Sequence, residues 1–292
     1  MSHSLFLPGL ATIALAVAAG HVRWSLNPSI VVKLLTAVAA LAATTSFLLV
    51  GALAAGFAAR SPVLLAVVRV CRVIPVHHQV GTVEGLAASV ALAVVVFRIQ
   101  LVLRQRRWAV EGTQGRRILV LADDEPIAYA APGKPGCVVV SRGLLDALEP
   151  QERQVLFAHE RAHLDQRHHH YLLVGALSVA VLPVLRPLVV QLRLATERCA
   201  DEAAAHVMAG DRQLVATAIT RAAVATSAYG GVVGSFGGAS ILARVEALVA
   251  TPSTPTALTG AVVVAGVAGL GTAVGSVQLH HLLQLVAHIC GL

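Results

Sequence analysis

Charge is in short supply in this chain. Asp, Glu, Lys and Arg make up only 13% of its 292 residues, where soluble domains carry roughly a quarter. Aromatic residues contribute just 4%. The four cysteines, Cys71, Cys137, Cys199 and Cys290, lie far apart and form no C-x-x-C pair. That argues against a disulfide framework and against a cysteine-bound metal. The basic residues behind the formal charge of +7 form no single stripe and are not interleaved with aromatics. No nucleic-acid motif accompanies them, so direct nucleic-acid binding is not expected. Ala, Val and Leu are what the chain has in abundance. Apolar residues reach 57% and mean hydropathy is +0.76, more than a soluble core of this length can use, so part of the chain should face lipid.

Three apolar runs come first, at residues 5–20, 34–57 and 83–103. Each approaches or exceeds the roughly 20 residues that a bilayer-spanning helix needs. No positive charge precedes the first run, whereas His21, Arg23 and Lys33 follow it. This pattern predicts an uncleaved anchor with its N-terminus outside, a second helix running outward and a third running inward. Arg98, Arg104, Arg106, Arg107, Arg116 and Arg117 gather around the end of the third run, as a cytoplasmic flank should. That dense cluster decides the orientation over Arg60, Arg69 and Arg72, which the same topology places outside. A last apolar run, 257–274, follows a Pro/Thr-rich linker and is rich in Gly and Ala, as closely packed membrane helices often are. The expected organisation is three transmembrane helices in 1–103, a cytoplasmic domain in 104–256, and a last transmembrane helix with a short tail in 257–292. Such a chain is a multi-pass protein with the lipid bilayer as its first partner. Its Ala/Val/Arg-rich composition points to a bacterial cell membrane.

Within the polar domain, residues 118–121 and 127–130 read as strands, divided by Asp123, Asp124 and Pro126. Turns follow at Pro132-Gly133 and Pro135-Gly136, then a β-branched strand at 137–141. A short helix is expected over 144–148, and Pro150 opens a longer one running through His163.

That longer helix carries His159-Glu160-Arg161-Ala162-His163, an H-E-x-x-H pattern. Four residues advance a helix by about 400°, so the two imidazoles project about 40° apart on one face and can share one metal ion. Zinc is the default for such donors and lowers the pKa of water. Glu160, about 100° round from His159, is placed to take a proton from that water as it attacks a peptide carbonyl. A catalytic zinc usually has three protein ligands. In Glu197-Arg198-Cys199-Ala200-Asp201, Glu197 offers the third, and Asp201, one turn later, can orient a ligand imidazole. The expected cofactor is one zinc ion per chain. The pair also constrains topology. Residues 171–192 are apolar enough to span, but one crossing would strand Glu197 across the membrane from His159. Pro183 and Pro187 flank Arg186 in that segment, so a membrane-associated hairpin or two packed helices is expected.

The run from Gly136 to His163, with Leu148-Glu149-Pro150-Gln151-Glu152 opening the metal helix, resembles the core of the gluzincin membrane proteases. The BlaR/MecR antirepressor peptidases fit the three leading helices best; the HtpX and CaaX prenyl protease family is a more distant likeness. The resemblance covers about 118–249 and includes Pro187, the 191–197 segment and Ala243-Arg244-Val245-Glu246-Ala247-Leu248-Val249. It implies an α-helical integral membrane protein with an α+β zincin-like protease domain. Carried over by position, His159, His163 and Glu197 bind zinc, Glu160 is the base, and Asp201 supports a ligand. The implied substrate is a cytoplasmic winged-helix repressor of the BlaI/MecI type. The β-lactam sensors of that family continue into an external penicillin-binding domain, whereas this chain stops about where one would begin and has no S-x-x-K element. Direct β-lactam sensing is therefore not expected. Two rivals remain: an HtpX-like quality-control protease and a catalytically silent membrane scaffold.

The remaining signals are weaker. His168, His169 and His170 read as the cationic end of the metal helix, and His206 as facing away from Glu197. Tyr229, His206 and several arginines are equal candidates to stabilise an oxyanion. The 137–141 strand is either a core strand or one to which an extended substrate adds. The glycine-rich segment 227–240 reads as a flexible linker, with Ser235-Phe236 as a self-cleavage point by likeness to BlaR/MecR. Self-association into a homo-oligomer is left open.

Overall fold

The computed structural model describes residues 7–22, 24, 26–58, 81–108, 115–228 and 235–250, with 269, 276 and 280 as single positions. The expected last helix at 257–274 lies, apart from Gly269, outside the described residues. In chain order the elements are α1 (Leu7–Ala19), α2 (Pro28–Ala58), α3 (Thr82–Trp108), β1 (Ile118–Leu121), β2 (Ala128–Ala131) and β3 (Cys137–Ser141). Six helices follow: α4 (Arg142–Ala147), α5 (Pro150–Asp165), α6 (His168–Val181), α7 (Arg186–Val207), α8 (Arg212–Ala228) and α9 (Ser235–Val249).

Two of these helices, α2 and α3, are long and apolar enough to cross a membrane. The first apolar run is shorter. Its 13 described helical residues extend about 20 Å at 1.5 Å per residue, against roughly 30 Å of hydrocarbon. Helix α3 turns much of its apolar surface outward. Val83 is 79% exposed and Phe97 60%, a surface that water would penalise and lipid would not.

The sheet order is β1-β3-β2, with β1 parallel and β2 antiparallel to β3. Cys-Val-Val-Val-Ser of β3 is buried at every position, as a central strand covered on both faces should be. The core reading of this strand therefore stands, because both of its edges are already paired. Ala128, at the start of the edge strand β2, and the preceding Pro126 and Ile127 line a groove described below.

Local chemistry sets the joints between elements. Ser141, fully buried, ends β3 and caps α4: its Oγ accepts from the N–H of Leu144 at 3.2 Å and of Ile127 at 2.9 Å. Gly143 presses its α-carbon against the Asp124 carbonyl, leaving no room for a Cβ. Gly143→Ala should cost about 1–3 kcal/mol, read as a lower urea midpoint. An unchanged midpoint would show that the Asp123–Asp124 turn yields. At the start of α5, Pro150 occupies the first turn, and the Glu149 N–H donates to Glu152 Oε2 at 2.8 Å. Arg221 on α8 reaches the same Glu152 oxygen at 2.8 Å.

Between α6 and α7 the chain reverses through a 3-10 turn at Pro183–Leu185. Pro183 cannot donate the N–H that a continuing helix needs, and Pro187 fits the first turn of α7. Across the reversal Gly175 packs against Val189 and Leu192. Helix α7 serves two cores. Its first half, through Leu188, Val189, Leu192 and Ala195, packs with α1 and α2. Its second half, through Ala204 and Ala205, packs with Val155 of α5, Val215 of α8 and Leu248 of α9. Arg198 adds a polar tie, donating to the Trp24 carbonyl at 3.2 Å.

Candidate metal centre

Helices α5 and α7 pack side by side, and each offers a pair of polar residues spaced by four. On α5 these are His159 and His163; on α7 they are Glu197 and Asp201. His159 Nε2 lies 3.2 Å from His163 Nε2 and 3.4 Å from Glu197 Oε2, while His163 Nε2 lies 3.6 Å from Glu197 Oε1. Zinc–nitrogen bonds of roughly 2.0–2.1 Å at tetrahedral angles place donors about 3.3 Å apart, so this spacing fits the ion. The far nitrogens fit as well. His159 Nδ1 stands 3.0 Å from Asp201 Oδ1, and His163 Nδ1 stands 3.0 Å from His168 Nδ1. The His163 ring is thus held through its outer nitrogen, the His159 ring meets Asp201 as a close charge contact without hydrogen-bond alignment, and both turn Nε2 into the cluster. Glu160 is buried in the same groove.

Two participants escaped the sequence reading. Arg244 of α9 makes a two-pronged contact with Asp201, Nε to Oδ2 at 2.8 Å and Nη2 to Oδ1 at 2.7 Å, and its Nη1 lies 3.1 Å from Glu197 Oε2. It lies inside the segment that resembles the membrane proteases, but no local spacing marks it. His168 was read as the end of the metal helix. Helix α5 stops at Asp165, Arg167 adopts a left-handed φ of 53°, and His168 opens α6. A helix continued from His163 would carry position 168 about 140° away; the left-handed residue folds it back onto His163 instead.

Charge in the cluster is balanced internally. Burial alone would lower the His159 pKa, but the carboxylates of Asp201 and Glu197 override it and push the value up to about 10. His163 goes the other way, pulled down to about 4 by burial and by the positive charge of His159, His168 and Arg244, against the attraction of Glu197. His168 is also held at about 4, chiefly by burial. Burial would raise Glu197, yet the His159 hydrogen bond and Arg244 hold it at about 2. Asp201 likewise sits below the usual carboxylate range, its burial outweighed by hydrogen bonds from Arg244 and the close contact with His159. Glu160 moves upward through burial and the Glu197 charge, partly offset by His159 and Arg244.

The site opens into a groove of about 410 Å³. Leu144, Leu148, Leu156, Ile219 and Ala222 line it, with Arg244 and Glu152 among the charged residues. Of the oxyanion candidates, Tyr229 lies outside the described residues and His206 is exposed on α7. Arg244, which lines the groove, is the arginine that the structure brings to the cluster. Ser235 and Phe236, expected in a flexible linker, begin α9. That helix is anchored downstream: Arg212 pairs with Glu202 at 2.7 Å and donates to the Ala247 and Leu248 carbonyls at 3.0 and 2.9 Å.

Paired imidazoles facing a carboxylate, with a buried glutamate beside them, are what a metal-dependent hydrolase requires. The model of peptidase family M48 matches residues 99–256, more than half of the chain. The chain therefore belongs to peptidase family M48, which implies a metallopeptidase. No curated protein and no solved structure matches it.

Proposed function

We propose that the chain is a membrane-anchored zinc endopeptidase whose domain works at the cytoplasmic face of a bacterial cell membrane. The observation that carries this reading is the convergence of His159, His163 and Glu197, whose ligand atoms all lie within 4.8 Å of one another. These three residues would hold one zinc ion, which would supply Lewis acidity toward water and the scissile carbonyl. Glu160 accepts the proton of the attacking water on its carboxylate and passes it to the leaving amine. Its burial, which raises its pKa, suits both halves of that transfer. Asp201 sits against Nδ1 of His159, and Arg244 holds Asp201. An extended substrate would lie along the outer edge of β2, with side chains entering the apolar groove.

Zinc content tests the ligand set. The wild-type chain, purified in detergent, should carry one zinc, and His163→Ala and Glu197→Ala should each lose it. Zinc retained by Glu197→Ala would leave the histidine pair standing and remove Glu197 from the set.

By resemblance to the BlaR/MecR peptidases, the substrate is a cytoplasmic winged-helix repressor, cut to release transcription. Self-cleavage at Ser235-Phe236 belongs to the same reading and requires the first turn of α9 to open. A new N-terminus at Phe236 after zinc loading would support it, and an intact chain would remove it. The apolar lining of the groove favours a second reading, HtpX-like quality control, because Leu and Ile walls accept apolar side chains from many sequences. Cleavage confined to one repressor selects the first reading; cleavage of many unfolded membrane proteins selects the second.

A further inference from the structure

The groove beside the metal cluster is smaller than a cavity of about 690 Å³ elsewhere in the domain. Helix α5 contributes to both, His159 and Glu160 to the groove, Arg161 and Asp165 to the cavity. The cavity's charge is one-sided. Arg117 precedes β1, Lys134 lies in the β2–β3 turn, Arg161 is on α5, Arg167 is at the α5–α6 joint, and His169 and His170 begin α6. The acid among the lining residues is Asp165, whose Oδ2 lies 3.9 Å from Arg161 Nε with both side chains exposed.

Four permanent cations from separate parts of the chain thus share one opening with one carboxylate. Such cations repel one another, and an anion between them relieves the repulsion. The ring of His169 belongs to the cavity lining, with its Nδ1 turned away from the opening and buried without a hydrogen-bond partner among the described residues. The local field is visible on the same ring: besides burial, His170, Arg106 and Arg167 lower its pKa. Arg106 belongs to the end of α3. The cavity therefore lies beside the basic end of the helix whose apolar surface faces outward.

We infer that this cavity binds a phosphate-type anion, and that the headgroup of an anionic phospholipid supplies it. Arginine forks match phosphate oxygens in geometry and a lysine ammonium adds a point charge, and a headgroup is the phosphate found where an apolar helix gives way to basic residues. The lipid source rests on reading α3 as a membrane helix; the anion site does not. Nor does either depend on zinc or on peptide cleavage.

The full chain, reconstituted in phosphatidylcholine discs with and without phosphatidylglycerol, tests the inference. Lipid retained after detergent extraction is read by native mass spectrometry for three proteins. These are the wild type, a Lys134→Gln/Arg161→Gln double variant, and an Arg142→Gln/Arg153→Gln double variant with equal charge loss outside the cavity. The wild type and the outer variant should retain phosphatidylglycerol preferentially. The cavity variant should lose that preference by about tenfold per charge-assisted hydrogen bond removed. Inorganic phosphate titrated against the detergent-solubilised chain, followed by thermal unfolding, separates the sources. Saturable phosphate binding that the cavity variant loses, without a lipid preference, would keep the anion site and overturn the lipid headgroup. Equal lipid retention and equal phosphate response in the wild type and the cavity variant would overturn the site, as would the same loss in both variants. Unchanged circular dichroism and elution of the variants exclude misfolding as the cause.

Discussion

Glu160→Gln should abolish peptide hydrolysis while leaving zinc in place. The substitution keeps the shape of the side chain but removes its ability to accept a proton, and general-base catalysis contributes about 10²–10⁴-fold. Glu160 is not among the three residues whose ligand atoms converge, so metal content should match the wild type. The measurement is kcat on a cleaved substrate beside zinc stoichiometry on the same preparation. A variant that keeps its zinc and its rate would remove Glu160 as the base and send the search to other groove residues. No cleavage by the wild type, together with signalling in cells that Glu160→Gln leaves unchanged, would favour the silent scaffold.

The second large effect is expected at Arg244. Its guanidinium is 13% exposed and faces an Asp201 side chain that is 2% exposed. Arg244→Ala would leave Asp201 buried, and Glu197 partly buried, without the guanidinium that helps hold both below their usual pKa. Removing one partner of a buried pair typically costs about 3–5 kcal/mol, so the domain should melt well below the wild type. Arg244→Lys keeps the charge but cannot make the two-pronged contact, and should recover only part of the loss. Equal stability of the wild type and Arg244→Ala would show that His159 alone neutralises the two acids.

What could be read in advance divides along physical lines. Strands β1 and β3 and the start of α5 were legible to the residue because local rules govern them: β-branched runs between turn residues, and a proline opening a helix. His159 and His163 were legible for a similar reason, since one helical turn fixes their relation. Glu197 and Asp201 followed from the need for a third ligand and were strengthened by the resemblance, because nothing local says that α7 returns to α5. Arg244 and His168 were missed for two different reasons. Arg244 reaches the cluster through tertiary packing of α9, which Arg212 pins by its last carbonyls. His168 depends on one left-handed residue, Arg167, which helical periodicity does not anticipate. The glycine-rich stretch misled in the opposite direction. Its composition favours a coil, yet from Ser235 onward it is helical, with Val245 and Leu248 packed on α5, α7 and α8.

Helix α7 holds Leu188 and Leu192 among α1 and α2 and carries Glu197 and Asp201 further along the same unbroken rod. Beyond Pro187 it contains neither proline nor glycine, so it has no hinge at which bending could be absorbed. Nine residues separate Leu188 from Glu197, about 13 Å at 1.5 Å per residue. A tilt of roughly 5° about Leu188 would sweep the Glu197 end of that lever by about 1.2 Å, and a working ligand set tolerates only about 0.5 Å. The N-terminal helices and the cutting centre are therefore geared together: a small lean on one side of the rod engages or uncouples the other.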